Sequence, residues 1–551
     1  MRIYDFRPTM VAAIALSAAV TTPARADGGQ VSNQQVLREI AALKAQMQSI
    51  QALQARIQQL ETQIKVNSDN ASAAKATADL ARQDAAAATT ASADAAAVMG
   101  KLRKGQLQIG HTNIGFSGWV EASMSRRQHN ELAGPSSTSL NTPFPNQAQW
   151  HDNEFRAGPP QTRFGLTTTS DVSDDLIFKS KIEFDTLSGS NAAGTANGGS
   201  WTPRLRHAWG EVDDLKTGWH AVLGQAYSLT IPNGNGINAD GSPSPNLGWK
   251  MLPGSEATSS PDDGALAGLG ATRNMQFRVV KEVATNAAVA LSLENNEVSW
   301  GGDKGTSINK PIVNNSSYNA TTAFNSLGTI PDIVAKVAYD PTPDYHFESW
   351  GILRRYKDSN TGIAGLPDAG SVFSGGFGVN TFIKVIPGVL DVQNGIGYGS
   401  IGQQIDGLIP DVTYSSTGKP VPIMDRYAFA NIVGHVTPDL DLYLQAGIEQ
   451  GSKAGVSGNT AATAYGYGNP YGAGGGNSGC MVLGGTCSQD ARTYWNVTPT
   501  AIWRVYNGSF GHLDFLPQLQ YVNKTLFKDQ FGRAPSASNW AVDMAFRYWP
   551  F

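Results

Sequence analysis

The spacing of hydrophobic residues along the chain changes at Gly105. Before that point, large apolar residues recur every three or four positions, with one irregular step at Leu53. The series is Val36, Ile40, Leu43, Met47, Ile50, Leu53, Ile57, Leu60 and Ile64. A period of about 3.5 is typical of a coiled-coil seam. We therefore predict an N-terminal α-helical coiled-coil segment over residues 27–104.

The stalk formed by this segment is expected to associate with other copies of the chain. From Ala71 to Ala97 it is dominated by Ala, which favours helix but leaves little to bury. A long helix of this kind needs packing partners for stability. Ile and Leu at alternate seam positions, as in Ile40 and Leu43, favour two strands. Met47 and the irregular step at Leu53 weaken that preference.

Beyond Gly105, apolar and polar residues alternate with a period of two. Such alternation with a charged face indicates an antiparallel strand with one wet face. Trp119 is an exception in the run Ile114–Met124, because it falls on the polar phase. The clearest runs are Arg163–Thr169 and Phe178–Asp185. Others lie at 201–212, 219–227, 275–280, 286–293, 332–339, 346–355, 376–384, 389–398, 427–436, 440–449, 493–505, 511–521 and 540–548.

The connections between these runs are of two kinds. Short turns such as Thr437–Leu440 alternate with long loops rich in Gly, Asn and Ser. The longest loops are 189–200, 232–272, 303–328 and 452–490. Short turns at one end and long loops at the other are typical of outer-membrane barrels. The sequence therefore predicts an all-β transmembrane barrel over residues 105–551.

The two ends of the chain agree with export to the outer membrane. Arg2 and Arg7 precede a short apolar run, and Ala24-Arg25-Ala26 supplies a cleavage pattern. We predict a signal peptide over 1–26 and a mature chain that begins at Asp27, with its N-terminal segment in the periplasm. At the other end, a final alternating strand closes on Phe551, although Pro550 shifts that residue out of phase.

Composition narrows the class of protein without fixing it. Gly contributes 60 residues and charged residues 16%, which suits a barrel with one lipid face, but also a secreted β-sandwich or β-helix. The net charge of −4 argues against nucleic-acid binding. The eight His residues are scattered, and no enzymatic motif is present. We expect no enzyme activity, no cofactor and no metal site.

Two cysteines, Cys480 and Cys487, lie close together in a Gly-rich loop. In an oxidising compartment this spacing predicts one disulfide that closes the loop.

Basic residues on the polar phase of several strands are candidates for the solute pathway. They are Arg163, Lys179, Lys181, Arg204, Arg206, Arg278 and Lys336. A basic ladder in a narrow lumen favours carboxylates and phosphates. The alternative is that Lys179 and Lys181 pair only with Glu183, Asp185 or acids of neighbouring strands. The loop Pro232–Thr272 is the candidate to fold inward and narrow the passage.

Several of these segments resemble the DcaP-like outer-membrane porins. The matching segments are Arg163–Thr169, Lys181–Asp185, Arg204–Trp209, Leu223–Ser228, Asn274–Arg278 and Pro331–Lys336, in the family's order and behind a coiled-coil N-terminus. The resemblance covers about Leu37 to Phe551, apart from the long loops. It implies about 16 antiparallel strands, a homotrimer, and passive diffusion of small anionic solutes such as dicarboxylates.

This sequence departs from the family pattern in two respects. Lys336 stands where the family has Arg, which keeps the charge but not bidentate carboxylate recognition. The implied trimer also differs from the two-stranded preference of the stalk, and barrel contacts can set the assembly instead.

Two other functions fit the same patterns. A phosphate-selective porin would share the basic lumen. An envelope tether or adhesin would use the barrel as an anchor in outer-membrane lipid, while residues 31–100 contact peptidoglycan.

Overall fold

The computed structural model describes thirteen stretches of the chain. They are residues 33–90, 106–131, 134–135, 142–187, 203–234, 248–253, 267–270, 272–303, 330–357, 370–405, 407–472, 476–508 and 510–550. The predicted signal peptide and Phe551 lie outside the described residues. The chain divides into two compact units, Met1–Ala93 and Asp94–Phe551.

The first unit contains one long helix, α1, over Asn33–Thr90. Its 58 residues would extend roughly 87 Å at ~1.5 Å per residue. The described apolar residues along the predicted seam are each more than half exposed: Ile40, Met47, Leu53, Ile57, Leu60 and Ile64. Among the described residues, no helix is both long enough and apolar enough to cross a membrane.

Most of the described residues of the second unit lie in strands. Its strands are β1 Gln106–Ile109, β2 Thr112–Arg127, β3 Glu154–Gly158, β4 Arg163–Asp171, β5 Leu176–Asp185, β6 Arg204–Asp214, β7 Trp219–Tyr227, β8 Arg273–Ala284, β9 Ala287–Glu294, β10 Asp332–Thr342, β11 Tyr345–Lys357, β12 Ser371–Ile386, β13 Leu390–Gly399, β14 Val412–Tyr414, β15 Pro420–Pro422, β16 Asp425–Thr437, β17 Leu440–Gly451, β18 Ala454–Ser457, β19 Tyr465–Tyr467, β20 Ala491–Gly508, β21 Gly511–Leu526 and β22 Ser536–Trp549. A short helix, α2, spans Gly402–Ile405.

Sixteen of these strands form a closed antiparallel barrel, as predicted. Each pairs with its neighbours around the ring, and β2 pairs with β22 to close it, with Val120 opposite Tyr548. β1 and β3 pair only with β2. β1 takes the part of the β2 edge that β22 does not reach, with Ile109 opposite Thr112. The pairs β14–β15 and β18–β19 form separate hairpins in the loops.

The barrel is apolar outside and largely polar inside. In β9, Val289, Leu291 and Leu293 are exposed, whereas Ser292 and Glu294 are buried. The same alternation recurs around the ring. A closed barrel satisfies the backbone hydrogen bonds, and the side chains then alternate between the lipid face, which is apolar, and the lumen face, which is polar. Exposed aromatic residues lie beside the short turns, at Trp219, Tyr339, Tyr345, Trp503 and Tyr548. This arrangement is that of a porin-type membrane barrel.

Two loop segments fold into the lumen and build an apolar core there. The first inward segment comprises the described residues of 228–272, and the second comprises those of 400–424. Leu229, Trp249 and Met251 of the first pack with Ile401 and Ile405 of the second. Wall residues that contribute to the cluster include Val222, Val280, Val334, Trp350, Tyr427 and Phe429. In the described residues, this core fills the part of the lumen beside β7 to β11 and β16.

Two described parts of the first inward segment contact strands that lie far apart around the ring. Met251 accepts a hydrogen bond from Arg278 on β8, at 2.7 Å from Nη1. Ala267 donates its backbone N–H to Asn496 Oδ1 on β20, at 2.8 Å. The segment expected to fold inward does so in its described residues.

Candidate functional site: the basic wall of the lumen

Four of the predicted pathway residues line one wall of the lumen, on β4, β5 and β6. They are Arg163, Lys179, Lys181 and Arg204, and we call this surface the basic wall. Each lies on the inward phase of its strand, opposite the outward Phe178 and Ile182. An inward position keeps the charges off the lipid face, where each would cost ~2–4 kcal/mol near the midplane.

The bases of this wall are ion-paired to acids on the same or neighbouring strands. Lys179 Nζ lies 2.9 Å from Glu211 and 2.5 Å from Asp213. Lys181 Nζ lies 2.7 Å from Glu183. Arg163 Nε lies 3.7 Å from the same Glu183. The pairing alternative from the sequence is therefore present in the structure.

Arg204 and Arg206 share one acid at the upper part of the wall. Arg204 Nη2 lies 2.6 Å and Arg206 Nη1 2.9 Å from Asp185 Oδ2. A β-bulge opposite Glu183 shifts the register of β6, so that Arg206 and His207 are both buried on the inner side. A strict two-residue period cannot place both of these residues inside, and for that reason the sequence did not indicate His207.

The bases and acids of these pairs differ in their exposure. The side chains of Lys179, Lys181 and Arg204 are 34%, 22% and 33% exposed. Their partners are at most 6% exposed: Glu183, Asp185, Glu211 and Asp213. The cations thus face the water of the passage, while the carboxylates lie behind them in the wall. The pairs neutralise net charge but leave a positive surface.

Arg278 and Lys336, also predicted to line the pathway, lie apart from the basic wall. Both are buried beneath the first inward segment. Arg278 donates to the carbonyls of Tyr227 and Met251. Lys336 donates to the carbonyl of Ile231 at 2.7 Å. The inward segment covers them, and the strand pattern alone contains no sign of that cover.

The irregular Trp119 faces the lumen and is enclosed by two arginines. The Arg163 guanidinium lies 4.2 Å and that of Arg547 5.3 Å from the Trp119 ring. Trp549 packs on the same ring with centroids 4.4 Å apart. An aromatic ring on the polar phase is stabilised here by cation–π contacts. Trp119 also fixes the position of Arg163 at the edge of the basic wall.

Arg354 and Arg547 are lumen residues that the sequence reasoning missed. Both are buried, and each is paired with a carboxylate: Arg354 with Asp332 at 3.0 Å, Arg547 with Glu121 at 2.6 Å. Both lie on the inward phase of predicted strands, Arg354 in 346–355 and Arg547 in 540–548. That phase is the feature of the sequence that indicates a lumen position.

The long-loop end is stiffened by a disulfide and by a hydrogen-bonded carboxylate. Cys480 and Cys487 are joined by a disulfide, and Cys480 is fully buried. Asp529 accepts backbone hydrogen bonds from Asn477 and Arg533. Burial would raise the pKa of Asp529, but these bonds and Arg533 Nε lower it to about 2.

Within the stretches that the structure describes, no group of three or more His, Cys, Asp or Glu is arranged to hold a metal ion.

Comparison with known proteins gives a likeness of fold only. No model of a protein family matches the sequence, and no curated protein sequence matches it. Among solved structures, the chain is similar to the outer-membrane channel DcaP of Acinetobacter baumannii, with 13% identity and a TM-score of 0.49 over 79% of this chain and 97% of that one.

Two further structures are similar at a comparable level. The anion-selective porin from Comamonas acidovorans is 12% identical, with a TM-score of 0.42 over 80% of this chain and 99% of that one. OmpT, an outer membrane protein of Vibrio cholerae, in its trimer form, is 11% identical, with a TM-score of 0.41 over 80% and 99%. Similarity of this degree carries no information on solute or assembly.

Proposed function

We propose that the protein is an outer-membrane porin through which small solutes, preferentially anions such as dicarboxylates, diffuse passively. One observation carries this proposal: the cations of the basic wall face the passage while their carboxylate partners lie behind them. A solute that follows the wall meets positive charge at short range. The buried carboxylates act on it from farther away, so the difference favours anions.

The geometry accounts for passage as well as preference. The inward segments narrow the lumen, and a narrower lumen brings each solute close to the wall. Lys179 and Lys181 are two residues apart on β5, so their charges succeed one another along the strand. An anion can then move from one cation to the next, because ion pairing with the wall acids keeps each cation from holding it tightly.

The assembly proposed with this function is a DcaP-like homotrimer with a periplasmic stalk over residues 27–104. The support for the stalk lies in α1, whose seam residues, such as Ile57 and Leu60, are exposed in the single chain. A helix with an exposed apolar seam gains stability by burying it against other copies.

The function is tested by conductance of the purified protein in planar bilayers under a salt gradient. We expect discrete channels with an anion-selective reversal potential, and a weaker preference in K179Q/K181Q/R204Q. Lys216→Gln is the matched control, since Lys216 lies on an exposed turn outside the wall. An unchanged permeability ratio in the triple variant would refute the role of the basic wall.

Competition between succinate and phosphate then identifies the solute class. Stronger block of the chloride current by succinate supports the dicarboxylate porin. Stronger block by phosphate would replace it with the phosphate-selective alternative.

A further inference from the structure

A buried ion pair on β10 and β11, away from the basic wall, holds the start of the first inward segment. Lys336 on β10 and Glu348 on β11 lie 2.8 Å apart, and neither side chain has exposed surface. Neighbouring strands bring the two residues together on the inner side, where Lys336 lies opposite Trp350 in the register. Neither residue faces the water of the passage.

Both members of the pair form hydrogen bonds with Asn233 of the inward segment. Lys336 Nζ donates to Asn233 Oδ1 at 2.7 Å. The Asn233 backbone N–H donates to Glu348 Oε2 at 3.1 Å. Lys336 also donates to the carbonyl of Ile231 at 2.7 Å. The cation therefore holds the acceptors of the segment, and the anion holds one of its donors.

Glu348 is itself fixed by two further wall residues. Asn380 Nδ2 on β12 lies 2.8 Å from Glu348 Oε1. His346 Nε2 lies 3.3 Å from Glu348 Oε2, while its Nδ1 lies 2.5 Å from Asp340. Taking two charges out of water costs more than their attraction returns unless further hydrogen bonds satisfy them. Here those bonds come from the segment as well as from the wall. The buried pair is therefore fully hydrogen-bonded only when the segment lies against the wall.

A second attachment follows farther along the same segment. Lys250 Nζ lies 2.7 Å from Glu282 on β8. Glu282 also contacts His220 Nε2 at 2.8 Å. The described parts of the segment are thus attached to the wall at Asn233 and at Lys250, and the neighbours of Lys250, Trp249 and Met251, pack in the apolar core.

We propose that Lys336 and Glu348 are positioning residues that set the width of the passage by clasping Asn233. The clasp consists of Lys336, Glu348 and Asn233, and the inference rests on the proposed porin function. Lys336 then positions the inward segment and does not contact the solute as part of the basic ladder. With the clasp intact, the segment stays on the β10–β11 wall. When the clasp is removed, its attachment at Asn233 is lost and the passage widens.

The test is K336M/E348Q, which removes both charges at similar volume and leaves no buried ion unpaired. Asn233→Ala is the second variant, because it deletes the side-chain amide with its Oδ1 acceptor and keeps the wall pair. Heat-modifiable mobility on gels selects folded barrels. Single-channel conductance and liposome swelling with neutral sugars of increasing mass then report the width.

We expect both variants to show a higher conductance and a larger sugar limit than the parent, with the anion preference retained. Lys179→Met gives the contrasting result, a reduced anion preference at the parental sugar limit. Folded variants with the parental conductance and sugar limit would overturn the clasp while leaving the porin function intact. Absence of channels in the parent protein would instead refute the porin function itself.

Discussion

Arg354 and Asp411 lie 2.7 Å apart with both side chains fully buried, and this contact joins the barrel wall to the second inward segment. Arg354 lies on β11, and on its other side Nε is 3.0 Å from Asp332 of β10. Asp411 also accepts hydrogen bonds from the backbone N–H and the hydroxyl of Ser299. One guanidinium therefore pairs with two buried carboxylates, one on the wall and one on the second inward segment.

Removing this guanidinium should destabilise the barrel. Arg354→Met leaves Asp332 and Asp411 buried without their cation, and breaking a buried pair in this way costs about 3–5 kcal/mol. We expect the variant to convert to the heat-denatured form at a lower temperature. Arg355→Met is the neighbouring control, since Arg355 lies on the outward phase and its change should cost less than about 1 kcal/mol. Equal transition temperatures for both variants would contradict the assignment.

The disulfide should act locally. Cys480 and Cys487 are seven positions apart in the sequence, and closing a loop of that length stabilises it by roughly 2–3 kcal/mol. In C480S/C487S we therefore expect faster proteolysis within the loop after Asn477. The barrel has its own closed hydrogen-bond network, so conductance and thermal transition should stay at parental values. A large fall in the transition temperature would show that the loop supports the whole barrel.

Asp490 should make its loop sensitive to pH. Burial, together with nearby Asp303, raises the pKa of Asp490 to about 7, while a hydrogen bond from the Gly468 N–H opposes the rise. The folded loop therefore binds a proton that the unfolded chain releases near its ordinary pKa of 3.8. The loop is most stable at low pH, and its stability falls as pH rises from about 4 to about 7.

Hydrogen exchange checks this prediction at the Phe527 amide, which donates to the Asp490 carbonyl. After correction for the intrinsic rate, its protection should decrease between pH 5 and pH 7. Asp490→Asn keeps an acceptor for Gly468 and should remove the pH dependence. A pH dependence that persists in this variant would place its origin in another group.

The stalk should assemble through its exposed seam. In I57D/L60D, two charges enter the apolar seam, and we expect loss of stalk-dependent cross-linking in the purified protein. Gln58→Asp, one step off the seam, is the control. Deletion of residues 31–100 separates the porin from a tether. If the protein is a porin, it still conducts after the deletion. If it is a tether, cells that carry the deletion lose envelope integrity.

The amino-acid sequence by itself determined the architecture. The period of about 3.5 before Gly105 and the period of two after it both arise from short-range geometry, because helix and strand repeat their side-chain directions every few residues. A closed barrel also forces lipid-facing and lumen-facing residues to alternate. Phe178, Lys179 and their neighbours therefore revealed both the strands and which face of each strand is wet.

Only the tertiary structure decided which lumen residues meet the passage. Lys179 on β5 and Lys336 on β10 both lie on the inward phase of their strands. Lys179 is partly exposed, whereas Lys336 lies beneath the first inward segment. The difference depends on contacts between residues about 100 positions apart, such as Lys336 and Asn233. Likewise, the bulge that turns His207 inward arises from pairing with β5. Local periodicity contains no information about such contacts, because they form only when the ring closes and the loops pack inside it.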